Sequence, residues 1–315
     1  MLERLARWLG GVALHWFYRD VSVTGSDRIP ASGPLLIAIN HQNALVDAIL
    51  ALCVVPRRIR LTAKATLGDT IFGAVLMKMV GIIPLQRTSD DPASSDPTRN
   101  RRSFEAIIEE MRMGGAVLMF PEGRSHNMPE IAPLKTGLAR AALRARSAGI
   151  KGIQIVPIGI TFEDKANPST LVLAQVGQPI LMDDWPGNNP HELTDTVAER
   201  LRNVSLVGTI HPTSDHHPIR RNPLVWLAVW WGWAMHWIPL RVARYEALRM
   251  SADRDEIAMY TMTLGLAAVL LSYLIEVSVV AWIFGTVAAV CFLASLVIGA
   301  HWAAHARRIR ERAPG

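Results

Sequence analysis

The sequence has only two cysteines in 315 residues, Cys53 and Cys291, which lie far apart in apolar surroundings. So few cysteines exclude a disulfide framework and suit a reducing compartment. The histidines at His211, His216 and His217 are joined by no cysteine and no cluster of carboxylates that could complete a ligand set. We therefore expect no metal site, and no motif indicates a cofactor.

Signatures of nucleic-acid binding are also missing. The chain has no zinc-ligand spacing, no aromatic RNA-binding motif and no long basic run, although its formal net charge is +6 and its isoelectric point about 9.7. The positive excess lies between Arg57 and Lys151, where sixteen Lys and Arg accompany nine Asp and Glu. Such a surface suits anionic lipid or phosphorylated substrates, so we predict partners of those classes and no nucleic acid.

The segment Leu35–Asp47, LLIAINHQNALVD, combines an apolar run with a His and an Asp. The run Leu35–Ile39 predicts a short buried strand that ends just before His41. An imidazole held by a carboxylate can make a hydroxyl nucleophilic at neutral pH. Positions six apart on one helix point about 120° from each other, so His41 and Asp47 can meet only across a turn. We expect that turn before a helix through Ala48–Val54; the alternative is two polar residues at the ends of elements.

Three later stretches repeat the design of an apolar strand with a polar or charged end. They are Gly81–Arg87 (GIIPLQR), Ala116–Ser125 (AVLMFPEGRS) and Ile153–Phe162 (IQIVPIGITF), the last of which we expect to be broken by Pro157. In an open α/β sheet the carboxyl ends of parallel strands meet at one edge, where such folds bind ligands. The sequence therefore predicts an α/β fold with a mixed, largely parallel sheet flanked by helices.

Together and in this order, the four motifs resemble those of the glycerolipid acyltransferase superfamily, which acylates glycerol 3-phosphate and lysophosphatidic acid. NHQNALVD is similar to the N-H-x4-D motif, GIIPLQR to the second motif, FPEGRS to F-P-E-G-T-R-S and IVPIGI to V-P-[VI]-G. The resemblance covers residues 21–205 and is strongest to the branch that handles glycerol 3-phosphate or dihydroxyacetone phosphate. Two departures are that five residues rather than four separate His41 from Asp47, and that the third motif lacks its usual Thr.

The resemblance implies transfer of an acyl group from acyl-CoA or acyl carrier protein to a hydroxyl of a glycerol phosphate, in phospholipid biosynthesis. It implies that His41 is the general base and Asp47 its partner, that Glu122 and Gly123 help to bind the glycerol moiety, and that two arginines bind the phosphate. The two arginines are Arg87 and Arg124. Lys64 and Lys135 are further phosphate candidates, and the alternative for both lysines is a solvated surface position. The predicted substrate-binding residues are therefore Arg87, Glu122, Gly123, Arg124, Lys64 and Lys135.

The remaining chain divides by composition. Residues 1–20 predict an amphipathic helix that lies either in the membrane interface or on the domain. The acyltransferase-like domain takes up residues 21–206, and a polar linker follows at 207–221. Between the motifs we expect helices at Gly68–Val80, Arg101–Met113, Leu134–Ala148 and Pro190–Leu206, and an exposed loop at Thr88–Asn100.

Beyond the linker the chain becomes strongly apolar. Residues 222–240 hold five Trp, from Trp226 to Trp237, which favours an interfacial segment because Trp prefers the headgroup level. Two runs within 257–300 are each long enough to cross about 30 Å of hydrocarbon. They predict a transmembrane hairpin that turns at Glu276. The basic tail, 301–315, favours the cytoplasmic face of a membrane, here the bacterial inner membrane, for the tail and the domain.

Other functions remain open at this stage. A lysophosphatidic acid or other lysophospholipid acyltransferase would use the same motifs with a different acceptor. A non-catalytic membrane scaffold could keep the fold without the chemistry. A serine hydrolase would need a nucleophile elbow, and no G-x-S-x-G sequence occurs.

Overall fold

The computed structural model describes residues 2–69, 77, 81–85, 97–128, 130–205 and 222–310. The strands are β1 Asp20–Thr24, β2 Leu35–Ile39, β3 Arg60–Lys64, β4 Ile83–Leu85, β5 Ala116–Met119, β6 Gln154–Phe162, β7 Leu171–Val176 and β8 Ile180–Leu181. The α-helices within these residues are α1 Leu2–Phe17, α2 Ala44–Val54, α3 Pro97–Arg112, α4 Gly137–Ser147, α5 Pro190–Val204, α6 Pro223–Met250, α7 Ile257–Phe284 and α8 Thr286–Arg310.

The strands form one mixed sheet in the order β1-β7-β6-β2-β5-β3-β4, and β8 also pairs with β6. The five neighbours from β6 to β4 are parallel, whereas β7 and β8 run antiparallel to β6. Every residue of β2 and β5 is buried, as expected for central parallel strands covered on both faces. Helices α4 and α5 contribute Leu138, Ala142 and Leu201 to the core beside these strands. The predicted fold class is confirmed.

The chain divides into two compact units. The larger, called the sheet unit, contains α1 up to Gly11, Val23–Phe162 and the described residues from Val172 to Ser205, and with them β2 to β8 and α2 to α5. The smaller, called the helical unit, contains α6, α7 and α8 together with Val12–Ser22 and Glu163–Leu171. The predicted boundary near residue 206 and the linker 207–221 lie outside the described residues.

Strand β6 is continuous through Pro157, so the expected break is wrong. Beside β6, strand β8 pairs with Gln154 and Ile155, and β7 pairs from Ile158 onward. Pro157 therefore faces the connection between β7 and β8, where its carbonyl accepts the N–H of Gly177 over 2.8 Å. Because the position of the missing N–H faces no paired strand residue, the proline costs no ladder hydrogen bond.

Helix α3 begins at Pro97, four residues before the predicted start at Arg101, so the end of the expected loop Thr88–Asn100 is helical. Proline suits the first turn of a helix, where its missing N–H would have no intrahelical partner. Most of the helix expected at Gly68–Val80 lies outside the described residues. Its first residues instead belong to a short 3-10 segment, Ala65–Asp69.

Helix α1 forms despite Gly10-Gly11. A Cβ atom at Gly10 would lie 2.7 Å from Cγ2 of Ile49, so this glycine permits the close approach of α1 to α2. Of the predicted apolar stripe, Leu9 and Val12 are exposed, whereas Leu14 and Phe17 on another face are buried. Trp16, in the same stripe, contacts the ring of His236 edge to face with centroids 5.3 Å apart, so the stripe is exposed at Leu9 and Val12 but packs on the protein at Trp16.

Two boundaries in the helical unit differ from expectation. The Trp-rich segment does not end at Pro239, because α6 continues to Met250 with this proline inside it. The expected turn at Glu276 is also wrong: α7 continues to Phe284, and the chain turns at Gly285, whose φ is +87°. Glutamate is a good helix former and one charge does not end a helix, whereas a positive φ favours glycine.

Within the described residues, α7 and the Thr286–Ala306 part of α8 are long and apolar enough to cross a bilayer, judged by length and composition. In helix α7, Ala258, Met262 and Gly265 are buried against the protein, whereas Leu270, Leu274, Trp282 and Phe284 are exposed. Exposed apolar surface of this extent indicates association with a membrane.

Candidate active site

Strand register brings the first and third motifs to the same level of the sheet. Ala38 of β2 pairs with Met119 of β5, so that His41 and Glu122, each three residues further on, emerge side by side. The ends of β3, β4 and β6 belong to the same edge because these strands run parallel to β2 and β5. This edge is where an open α/β sheet binds ligands.

His41 and Asp47 form the predicted pair. Nδ1 of His41 lies 3.0 Å from Oδ2 of Asp47, and the Asp47 side chain is fully buried while that of His41 is 11% exposed. The same Oδ2 accepts the main-chain N–H of Asn43 over 2.7 Å, which fixes the carboxylate. With Nδ1–H donated to Asp47, Nε2 of His41 is the ring atom that can accept a proton.

The turn between His41 and Asp47 accommodates the additional residue of the first motif. Ala44, the first residue of α2, has φ of +41°, a left-handed value that a non-glycine residue rarely adopts. The N–H of Val46 donates to the carbonyl of Asn43 over 2.9 Å and closes the turn. The turn at Ala44 thus takes up the additional residue, so the contact between His41 and Asp47 is kept.

Glu122 is buried and accepts hydrogen bonds from three donors. Oε1 accepts the main-chain N–H of His41 over 2.5 Å. Oε2 accepts the main-chain N–H of Ala132 over 2.6 Å and contacts Nε2 of His126. The carboxylate therefore joins the first motif, the third motif and the loop that follows it. In this arrangement Glu122 positions His41, and its predicted contact with glycerol stays a prediction.

Two residues that the sequence did not single out also hold His41. The main-chain N–H of His126 donates to the carbonyl of His41 over 3.2 Å. The ring of Phe120 stacks on the imidazole, with centroids 4.0 Å apart and planes inclined by 17°. The third motif thus contacts the main chain of His41 on both sides and one face of its ring. In the sequence, the signal for the role of His126 was its position four residues after Glu122, the glutamate of the third motif.

Asn40 ties the end of β2 to β6. Its side-chain amide donates to the carbonyl of Ile160 over 2.8 Å, and its Oδ1 accepts the N–H of the same residue over 2.7 Å. Because Asn40 is buried and directly precedes His41, this paired contact fixes where the base leaves the sheet.

The predicted phosphate-binding residues are exposed cations near the same edge. The turn of the third motif requires Gly123, whose φ is +80°, and it presents Arg124 to solvent. Lys135 is exposed beside this turn: its main-chain N–H donates to the carbonyl of Pro121 over 2.7 Å, and its Cγ lies 3.5 Å from the Cβ position of Gly123. Lys64 is exposed at the end of β3. Arg87 lies outside the described residues.

Comparisons with known proteins match this site to a family. Residues 20–161 match the family model described as Acyltransferase. Glycerol-3-phosphate O-acyltransferase 2 of Saccharomyces cerevisiae is 28% identical over 109 residues, which are 33% of this chain and 15% of that protein. The chloroplastic 1-acyl-sn-glycerol-3-phosphate acyltransferase LPAT1 of Arabidopsis thaliana is 23% identical over 166 residues, 52% of this chain and 42% of that protein.

Among solved structures, the 1-acyl-sn-glycerophosphate acyltransferase PlsC of Thermotoga maritima is similar, with a TM-score of 0.49 and 21% identity over 64% of this chain and 78% of that one. The chain spans less than half the length of the two curated relatives above. The matched region, residues 20–161, contains His41, Asp47 and the third motif. The predicted resemblance to the glycerolipid acyltransferase superfamily is confirmed by these matches, and the family model covers somewhat less than half of the chain.

Proposed function

We propose that the protein transfers a fatty acyl group from a thioester, acyl-CoA or acyl carrier protein, to a hydroxyl of glycerol 3-phosphate or a related glycerol phosphate. The observation that carries the proposal is the 3.0 Å contact of His41 with buried Asp47 at the carboxyl edge of the sheet. A carboxylate in this place keeps Nδ1 protonated and leaves Nε2 as the base.

The residues perform the chemistry as follows. Nε2 of His41 accepts the proton of the acceptor hydroxyl while the hydroxyl oxygen attacks the carbonyl carbon of the thioester. Asp47 stabilises the imidazolium that forms on His41. Collapse of the tetrahedral intermediate expels the thiolate, which takes the proton back from His41. Glu122, Phe120 and Asn40 hold the base in place through its main chain, its ring face and its strand. Such positioning is productive because only an aligned base lowers the barrier.

Cations at the same edge fit a phosphorylated acceptor. Arg124 and Lys135 flank the turn at Gly123, and guanidinium and ammonium groups are the usual partners of phosphate. We assign the phosphate to these two residues first, with Arg87 and Lys64 as further candidates.

The apolar surfaces support a membrane location, where the acyl chain of the product is soluble. Helices α7 and α8 are apolar over long stretches, and the stripe of α1 at Leu9 and Val12 is exposed. The basic residues at the end of α8 favour the cytoplasmic face of the membrane. We propose that the protein is anchored there, at the bacterial inner membrane, with the sheet unit in the cytoplasm.

The second candidate is transfer to lysophosphatidic acid, favoured by the similarity to the 1-acyl-sn-glycerol-3-phosphate acyltransferase of Arabidopsis. Purified protein should be assayed with glycerol 3-phosphate, dihydroxyacetone phosphate and lysophosphatidic acid, each with acyl-CoA and with acyl carrier protein. We expect the fastest transfer to glycerol 3-phosphate or dihydroxyacetone phosphate; a clear preference for lysophosphatidic acid would establish the second candidate.

The same assay tests the catalytic assignment. His41→Ala should lower the rate by about 10²–10⁴-fold, the range for loss of a general base. His191→Ala, at an exposed position on α5, is the matched control and should retain full activity. A His41→Ala variant with near wild-type activity would show that another group is the base. Absence of transfer in the wild type would favour a membrane scaffold.

A further inference from the structure

The helical unit has a fixed register along its whole length. His236 of α6 contacts Tyr273 of α7, Nε2 to the phenol oxygen, over 2.6 Å. Arg244 of α6 donates to Oγ1 of Thr261 over 3.1 Å, so the two helices run antiparallel. Counting residues along both helices from the His236–Tyr273 contact shows which ends lie together. The start of α6 at Pro223 is level with the turn at Gly285, and the end of α6 at Met250 is level with the start of α7.

Helix α8 lies along the same pair. Gly232 of α6 and Gly299 of α8 approach so closely that a Cβ atom at Gly232 would meet the Gly299 carbonyl. Trp231 and Phe292 are in edge contact with centroids 6.0 Å apart. All three helices therefore lie side by side at the same level. In a bilayer, α6 must then have the same depth as α7 and α8.

One end of this bundle is bonded to the loop Glu163–Thr170, which joins β6 to β7. Arg244 donates to the carbonyl of Ala166 over 2.8 Å and to Oδ1 of Asn167 over 2.9 Å. Arg254 pairs with Asp164 at 2.9 Å. Burial alone would raise the pKa of Asp164, but the Ala166 N–H and the Arg254 guanidinium lower it below its ordinary value, so the pair stays charged. This polar loop must lie in water or at the headgroup level.

The other end of the bundle is where the chain enters α6. Asn222 caps this helix by accepting the N–H of Leu224 over 2.9 Å. The sixteen residues that lead there from α5, LVGTIHPTSDHHPIRR, include three His, one Asp and two Arg. Both ends of the bundle are thus tied to segments that continue from the sheet: the β6–β7 loop is hydrogen-bonded to Arg244 and paired with Arg254 at one end, and this polar segment is continuous with α6 at the other.

A bundle that crossed the bilayer would require this polar segment to cross it as well. A segment with an Asp, two Arg and three His is costly to place in hydrocarbon, because ionisable side chains lose their hydration there. We propose that α6, α7 and α8 instead lie within one leaflet of a phospholipid bilayer, along its plane, so that both ends of the bundle are on the same face of the membrane. The proposal is an alternative to the transmembrane hairpin expected from the lengths of the apolar runs, and the experiment below separates the two.

The positions of Trp agree with an in-plane bundle. Trp226, Trp230 and Trp237 are exposed along α6, and His236 and Trp237 lie at its midpoint. In a crossing helix, Trp would collect at the two ends, whereas a helix at the headgroup level can carry it along its whole length. Glu276, inside α7, would also avoid the depth in the hydrocarbon at which an ionisable side chain is costly.

Cysteine accessibility in the full-length protein tests the proposal. In a Cys53→Ala, Cys291→Ala background, Asn222→Cys reports on one end of the bundle and Ala252→Cys on the other; both positions are exposed. Because Asn222 caps α6, a second variant for that end, Val287→Cys at the start of α8, leaves the cap intact and is also exposed. The proteins are labelled with a membrane-impermeant maleimide in sealed inside-out and right-side-out vesicles of bacterial inner membrane.

If the bundle lies in one leaflet, both ends are labelled to a similar extent in the same vesicle type and neither in the other. If the bundle crosses, Asn222→Cys and Val287→Cys are labelled only in the vesicle type in which Ala252→Cys is protected; if only the α7–α8 hairpin crosses, Val287→Cys alone shows this pattern. Either result would overturn the proposal. Labelling after permeabilisation confirms that each cysteine can react. The result does not depend on enzymatic activity, so it stands or fails separately from the proposed function.

Discussion

The main-chain N–H of His41 donates to Oε1 of Glu122 over 2.5 Å, and this bond joins the first motif to the third. The contact lies at the main chain, so the glutamate determines where the base is held without touching its ring. The second oxygen of the same carboxylate bonds Ala132 and His126. A change at Glu122 should therefore act on the position of His41 as well as on any contact with substrate.

Glu122→Gln tests this relationship. Glutamine keeps an oxygen for the His41 N–H, but its NH₂ group would face the N–H of Ala132, leaving a buried donor unpaired. Such a loss costs about 1–3 kcal/mol, so we expect a lower melting temperature and a transfer rate reduced by about tenfold or more. Glu130→Gln, at an exposed position in the same loop, is the control and should change neither. Full activity with unchanged stability in Glu122→Gln would show that the carboxylate does not hold His41.

His126 should behave as a positioning residue. His126→Leu removes the ring donor to Glu122 Oε2, so the carboxylate would hold the His41 main chain less firmly. We expect kcat to fall by about tenfold, the equivalent of roughly 1.4 kcal/mol, with little change in KM for the acceptor. His126→Gln places an amide donor near the same point and should recover most of the rate. Equal losses in both variants would point to a packing role instead.

The apolar pattern was sufficient to predict much of the fold and the His–Asp pair. Central parallel strands such as Leu35–Ile39 are buried on both faces, so they are continuous apolar runs that the sequence displays directly. The residues after these runs lie together because parallel strands end at one edge. His41 and Asp47 were therefore predictable as neighbours once a turn was assumed between them.

What the sequence did not predict depends on contacts between distant segments. Pro157 is tolerated because of the register of β7 and β8, which local pattern does not encode. The roles of Phe120 and His126 require knowing that the third motif wraps around His41. The turn at Gly285 was missed because a charge at Glu276 interrupts hydropathy more visibly than a glycine does, although the backbone angle favours the glycine.

Ala44 gives a test of the turn that accommodates the extra residue. Its φ of +41° is strained for alanine and relaxed for glycine. We expect Ala44→Gly to keep activity and to leave the free energy of unfolding unchanged or raised by about 1 kcal/mol, because it relieves the strain. Ala44→Val should lower both, since a β-branched side chain tolerates this region least.

The control for this pair is Ala48→Gly, one turn further along α2, where the backbone is helical and glycine should destabilise by about 0.5–1 kcal/mol. Thermal unfolding of the three variants checks the signs. If Ala44→Gly and Ala48→Gly were destabilised equally, the left-handed turn would not be present in solution.

The last prediction concerns the acceptor phosphate. Arg124 directly follows Gly123 in the turn of the third motif, Lys135 lies against Gly123 with its Cγ 3.5 Å from the Cβ position, and both side chains are exposed. Removing either cation should weaken acceptor binding by about 1.5–3 kcal/mol, the range for hydrogen bonds to charged groups. We therefore expect Arg124→Ala and Lys135→Ala to raise KM for the phosphorylated acceptor while KM for the acyl donor stays unchanged. Arg140→Ala, at an exposed position on α4, is the matched control. A raised donor KM with an unchanged acceptor KM would instead assign these cations to the phosphates of acyl-CoA or to the acidic surface of a carrier protein.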